Sequence, residues 1–181
     1  IRGGIDTSTV EGVREFLKAA FIYWVVCEGI FFFSGFAMLL ALKKKIPGIG
    51  EQIEYTLRDE SLHIQFGATL INKIREQHPD AWTPEFEAEL VEILKQAVQL
   101  EVAYAQDVLP RGVLGLRSES FLLYMEYVGN RRLENVGLNS FRFANDKNPF
   151  DFLSTVQDLI KSKNFFESKV IEYSSAGALD D

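Results

Sequence analysis

Apolar residues recur along this chain at helical spacing, interrupted by short polar or proline-containing breaks. Ser8 and Glu11 have capping-box spacing and an apolar run follows, which predicts a long first helix over residues 9–44. Pro47-Gly48, with Gly50 behind it, predicts a turn. A second helix is predicted over 51–76, where Ile53, Leu57, Ile64, Leu70, Ile71 and Ile74 keep helical phase. His78-Pro79 breaks it. Thr83-Pro84-Glu85 restarts the pattern with an N-cap, a first-turn proline and an acid, so a third helix is predicted to reach 108. A glycine-containing connector over 111–117 leads to a fourth helix predicted over 118–143. A polar break follows at 145–149, then a short helical piece from Phe150 and an irregular acidic end at 177–181. No strand alternation competes, so the fold class is all-α.

The first helix carries the strongest signal. Residues 19–42 are apolar at 20 of 24 positions, the exceptions being Glu28, Gly29, Ser34 and Gly35. Length and hydropathy fit a membrane span; they equally fit the central helix of a soluble bundle, apolar all round. The other helices are amphipathic and charged, which favours the bundle and predicts no membrane. Glu28 sits mid-run, where an unpaired carboxylate costs several kcal/mol. It needs a cation, a hydrogen-bond network or a metal. Glu28, Phe32 and Phe36 are four apart in turn and so share an α-helical face. That sets a carboxylate beside an apolar wall; plain aromatic packing with an ion-paired Glu28 fits the same spacing.

The second helix adds Glu60 and His63 at i and i+3, on one face. Leu57, Leu62, Ile64 and Phe66 around them predict a largely buried helix. A buried Glu and His pointing one way read as an oxygen and an imidazole ligand to one metal. Carboxylate sites in ferritin-like bundles use a Glu from each of two helices plus a Glu-x-x-His from each of the other two. A lone Glu-x-x-His is a weak signal, and Glu28 on the preceding helix strengthens it. Asp59 points elsewhere on the helix. It suits a second-shell carboxylate for a histidine of another helix, or a pair with Arg58. His78, at a helix end, reads as a surface or capping residue, and Tyr23 and Trp24 as packing.

Composition trims the alternatives. Lys plus Arg is 19, Asp plus Glu is 26, and the net charge of −7 argues against a nucleic-acid partner. One cysteine, Cys27, excludes a disulfide framework and a cysteine-rich zinc site, and suits a reducing, cytoplasmic setting. The start Ile1-Arg2-Gly3-Gly4 lacks signal-peptide order and a Met, which predicts a chain beginning inside a longer protein or at a processed end.

Three stretches together resemble a known family. They are Glu28-Gly29-Ile30-Phe31-Phe32-Phe33-Ser34-Gly35-Phe36, Leu57-Arg58-Asp59-Glu60-Ser61-Leu62-His63, and Glu126-Tyr127-Val128-Gly129-Asn130-Arg131-Arg132-Leu133. In order and chemistry they are similar to the C-terminal portion of the small, radical-generating subunit of class I ribonucleotide reductase. The resemblance implies part of a ferritin-like helical bundle with a dinuclear metal centre, Fe/Fe, Mn/Fe or Mn/Mn. It implies Glu28, Glu60 and His63 as metal ligands and Phe32 and Phe36 as the apolar pocket. Asp59 matches the second-shell carboxylate on the electron path, and Tyr173 the relay tyrosine of a docking tail. Hard carboxylates with imidazole suit Fe or Mn over zinc or copper. The implied partner is the large catalytic subunit, which reduces ribonucleotides to deoxyribonucleotides, and the implied assembly a homodimer or higher.

The sequence departs from the family in two respects: the stretch from Glu28 to Glu60 is slightly short around Lys43 to Pro47, and half of the metal site is missing. No second Glu-x-x-His occurs, and Asp6 is too isolated to replace the missing acid. Three ligands on two helices cannot enclose two metals, so an upstream segment or a separate chain is expected to supply the rest. Residues 1–145 are then part of the bundle, and 146–181 a C-terminal helix and tail toward the large subunit. Arg131 and Arg132 are expected to pair with acids inside the bundle. The alternatives are a ferritin-like oxidase or oxygenase acting on its own ligand, and a metal-storage bundle.

Overall fold

The structure, a computed structural model, describes residues 4–112, 116–150 and 152–153. Among the described residues the regular elements are helical. Helix α1 spans Val10–Ala20. Its N-cap is Thr9, whose hydroxyl accepts from the Gly12 N–H at 3.0 Å. The expected cap, Ser8, bonds instead to the Asp6 carboxylate.

The chain then runs without a break through a π-helical segment, Phe21–Phe31, into α2, Phe32–Ala41. This continuous rod was expected as one regular α-helix. The π register is the difference, and Glu28 lies within it. Helix α3 spans Pro47–Gln77 and starts four residues earlier than expected. Pro47-Gly48 is its first turn rather than a separate bend, because a proline there forfeits only an N–H that has no helical partner anyway. Lys43 ties the preceding loop to α3 through Glu54 at 2.7 Å.

Helix α4 spans Pro84–Val108, capped by Thr83 as its sequence indicates. Helix α5 spans Ser118–Asn135 and ends well before the expected 143. Gly137 stops it, with φ of +69°, a conformation that favours glycine. Leu138 N–H reaches Leu133 O at 3.0 Å, and Gly137 N–H reaches Glu134 O at 3.1 Å. Those two bonds form a Schellman cap. The chain beyond is pinned back on α5 by Asn130, whose side chain bonds to the backbone of Phe143 and Asn145. Glu126 accepts from Asn145 N–H at 3.0 Å.

The core lies around the long rod. Leu17, Phe21, Ile30 and Ala37 are fully buried, and each large apolar side chain among them contributes roughly 1.5–3 kcal/mol. The π segment packs against all five α-helices. Val10–Ala41 is long and apolar enough to cross a membrane, yet 56% of its most apolar window is buried by the rest of the chain. It is the central helix of a bundle.

Candidate metal centre

Three side chains meet where the π segment faces α3. Glu28 projects from the segment, and Glu60 and His63 come from one face of α3. One donor atom from each lies within 4.8 Å of the others. His63 Nδ1 stands 3.0 Å from Glu60 Oε2. Glu28 is buried, and its Oε2 has no hydrogen-bond partner. A buried carboxylate oxygen left unpaired is costly, and a cation at this point would satisfy it. Two carboxylates and an imidazole nitrogen are the donor set that hard or borderline divalent ions such as Fe and Mn accept. The residues fit a metal.

Electrostatics follow from this crowding. Burial raises the Glu28 carboxyl above the usual range; a hydrogen bond from Tyr23 and the nearby His63 oppose the rise, and Glu60 reinforces it. The His63 ring is also raised, first by its hydrogen bond to Glu60. The first shift records a carboxylate taken out of water, the second a ring held by a carboxylate.

Burial around the site differs from expectation. Helix α3 is buried on one side only, through Leu57, Ile64, Ala68 and Ile71. Leu62 and Phe66, read as buried neighbours of the ligands, are 59% and 60% exposed. His63 is exposed too, whereas the Glu60 side chain is mostly covered, 13% exposed. The α3 edge that carries Leu62, His63 and Phe66 looks away from the core, and an apolar residue beside His63 is not evidence of burial in this chain. Phe36 is buried, whereas Phe32 is 46% exposed although its ring lies 6.3 Å from that of Phe36. Asp59 is on the surface, 3.9 Å from Arg58. Tyr173 lies outside the described residues.

Two residues escaped sequence reading. Tyr23 precedes Glu28 by five, which in an α-helix separates their faces. In the π register, with hydrogen bonds between i and i+5, they align, and the Tyr23 hydroxyl meets the carboxylate. Arg132 was expected to meet an acid. It is buried and instead donates Nε–H to the Gly29 carbonyl at 2.9 Å, over the ring of Phe33. Arg131 does find an acid, Glu134, at the surface.

A helical bundle whose central rod and neighbouring helix offer two carboxylates and a histidine to one point has the form of a ferritin-like protein with a candidate metal centre. Comparison with known proteins narrows the class. The family model for ribonucleotide reductase, small chain, matches residues 6–149. The chain is 48% identical over 171 residues to the ribonucleoside-diphosphate reductase subunit beta of Chlamydia pneumoniae, covering 93% of this chain and 49% of that protein. It is 35% identical over 175 residues to the ribonucleoside-diphosphate reductase small chain of Trypanosoma brucei brucei, covering 93% and 48%. A solved ribonucleotide reductase R2 subunit from Clostridium botulinum superposes with a TM-score of 0.74 at 25% identity, over 82% of this chain and 46% of that one. The chain belongs to the ribonucleotide reductase small-chain family. It spans about half the length of the curated relatives it matches.

Proposed function

We propose that this chain is the C-terminal part of the small subunit of a class I ribonucleoside-diphosphate reductase. Glu28, Glu60 and His63 then hold one side of its dinuclear metal centre. The convergence of those three donors around an unpaired buried oxygen carries the reading. In this role the subunit generates and stores the oxidant that starts reduction of ribonucleotides in a large catalytic subunit. The setting is the cytoplasm and the assembly a homodimer or higher.

When bound, an Fe/Fe, Mn/Fe or Mn/Mn pair supplies reversible one-electron oxidation. The remaining tasks fall to the chain. Glu28 and Glu60 bring negative charge to balance the ions, and His63 presents Nδ1 toward the same point. Phe36, with Phe32 beside it, forms an apolar wall that keeps water from the oxidant. Asp59 orients a ligand histidine of another helix, as second-shell carboxylates do. Tyr173 serves as the relay tyrosine. Residues 1–145 belong to the bundle and 146–181 lead toward the large subunit.

The other ligands come from a preceding segment or a separate polypeptide, since one Glu-x-x-His and one further Glu leave the second ion open. Metal analysis tests this. The chain together with the polypeptide that completes the site holds two Fe or Mn ions per site, and the chain purified alone holds fewer. Two tightly bound ions in the lone chain would remove the need for outside ligands. None in the completed complex would remove the metal reading.

A further inference from the structure

Arg132 is a buried cation for which the proposed chemistry has no use. It is 8% exposed, and among the described residues no carboxylate pairs with it. A guanidinium taken out of water without a counter-ion is costly, and an apolar side chain of similar volume would fill such a space more cheaply. Burial lowers its pKa to about 10, which still leaves it charged at neutral pH.

Its partners explain why it is there. Nε–H donates to the Gly29 carbonyl at 2.9 Å, and the guanidinium carbon lies 4.4 Å from the centre of the Phe33 ring. Gly29 leaves room for this approach: a Cβ there would stand 2.9 Å from both Cδ and Nε of Arg132.

The carbonyl that Arg132 holds lies in the last turn of the π segment. Phe32 N–H reaches back five residues to Cys27 O, and the chain then continues as α2. The register therefore changes just after Cys27, across Glu28 and Gly29, where the ladder of five-residue bonds gives way to one of four-residue bonds. Arg132 ties the backbone down at that step, through a side-chain N–H on the Gly29 carbonyl. Removal of that donor favours relaxation of the segment into the commoner α register. Glu28, the residue before Gly29, would then turn about the helix axis and away from Glu60 and His63.

We propose that Arg132 is a positioning residue: by holding the Gly29 carbonyl it fixes the end of the π segment, and with it the direction in which Glu28 offers its carboxylate to a metal. This inference rests on the metal-binding role of Glu28. The test is Mn²⁺ titration of the completed small subunit, with free ion read by its EPR signal, alongside thermal melting. Arg132→Met keeps the volume and removes the donor. It is expected to melt cooperatively near the parent temperature and to bind Mn²⁺ at least about tenfold more weakly, as when an outer partner of a ligand is lost. Gly29→Ala, which pushes Arg132 aside while keeping the charge, is expected to show the same loss, and Arg132→Lys a smaller one. Mn²⁺ affinity unchanged in folded Arg132→Met, or in folded Gly29→Ala, would overturn the proposal. Failure of both to fold would overturn it in favour of a purely structural role. Glu28→Ala is the control: if it leaves Mn²⁺ affinity intact, the metal reading itself fails, whatever Arg132 does.

Discussion

Glu28 and His63 stand within one ion's reach of each other, yet Glu28 is 6% exposed and 56% of the His63 side chain lies in solvent. The wall formed by the π segment is finished. Ile30 is sealed in the core, Arg132 grips the backbone at Gly29, and the Glu28 carboxyl is forced upward by burial. The wall formed by α3 is open. Leu62 and Phe66 flank the histidine in solvent, and Phe32 and Tyr23 continue that apolar surface from the rod. A contiguous exposed apolar surface around a ligand cluster marks a place to be covered. The difference teaches that the chain by itself covers Glu28, and under the proposed function leaves His63 to be enclosed by whatever completes the site.

The sharpest way to break the comparison is to damage the finished wall. Ile30→Ala removes a fully buried side chain next to Glu28's turn. It is expected to lower stability by about 2–5 kcal/mol, read from urea unfolding. A loss under about 1 kcal/mol, below the usual cost of an uncollapsed core cavity, would mean that this wall is not yet packed in the lone chain.

Glu28→Leu acts on the same wall with the opposite sign. It removes the orphan oxygen, so the metal-free chain is expected to gain about 1 kcal/mol while Mn²⁺ binding is lost. The pH dependence follows from the raised carboxyl. A folded-state value above the ordinary 4.5 means that the folded chain holds the proton more tightly than the unfolded one. The penalty is therefore complete above the folded value, is relieved as pH falls through it, and is gone below 4.5. The advantage of Glu28→Leu over the parent is expected to shrink along that descent. An advantage that grows toward acid would show that the Glu28 carboxylate is held by a favourable partner.

The pattern of apolar positions was enough to locate the helices, and the three donors that the fold brings together were legible because their types and spacing are chemical. The register of the rod was not. An apolar run with polar exceptions only at Glu28, Gly29, Ser34 and Gly35 has no polar face to give a phase, so α and π windings read alike. Tyr23 was lost for that reason. The end of α5 had a signal, Gly137 before an apolar Leu138, which the continuing aromatic pattern through Phe141 and Phe143 masked. Arg132 was misjudged because an arginine suggests a carboxylate, whereas a backbone carbonyl beside a change of helix register leaves no trace in sequence. Leu62 and Phe66 misled in the other direction: apolarity says that a residue is to be covered, not by which chain.

The smallest effect separates those two meanings. Leu62 is 59% exposed beside His63 and contributes nothing to the core of this chain. In the lone chain Leu62→Ser is therefore expected to change stability by no more than about 0.5 kcal/mol, the range of ordinary surface substitutions. In the completed complex the same position is enclosed under the proposed function, and the loss rises to roughly 1–3 kcal/mol as buried apolar area is given up. The two measurements use one substitution and one denaturant series, so their difference cancels whatever Ser does to the unfolded chain. Equal and small effects in both would mean that the α3 wall stays open after assembly, and that His63 meets its metal in water.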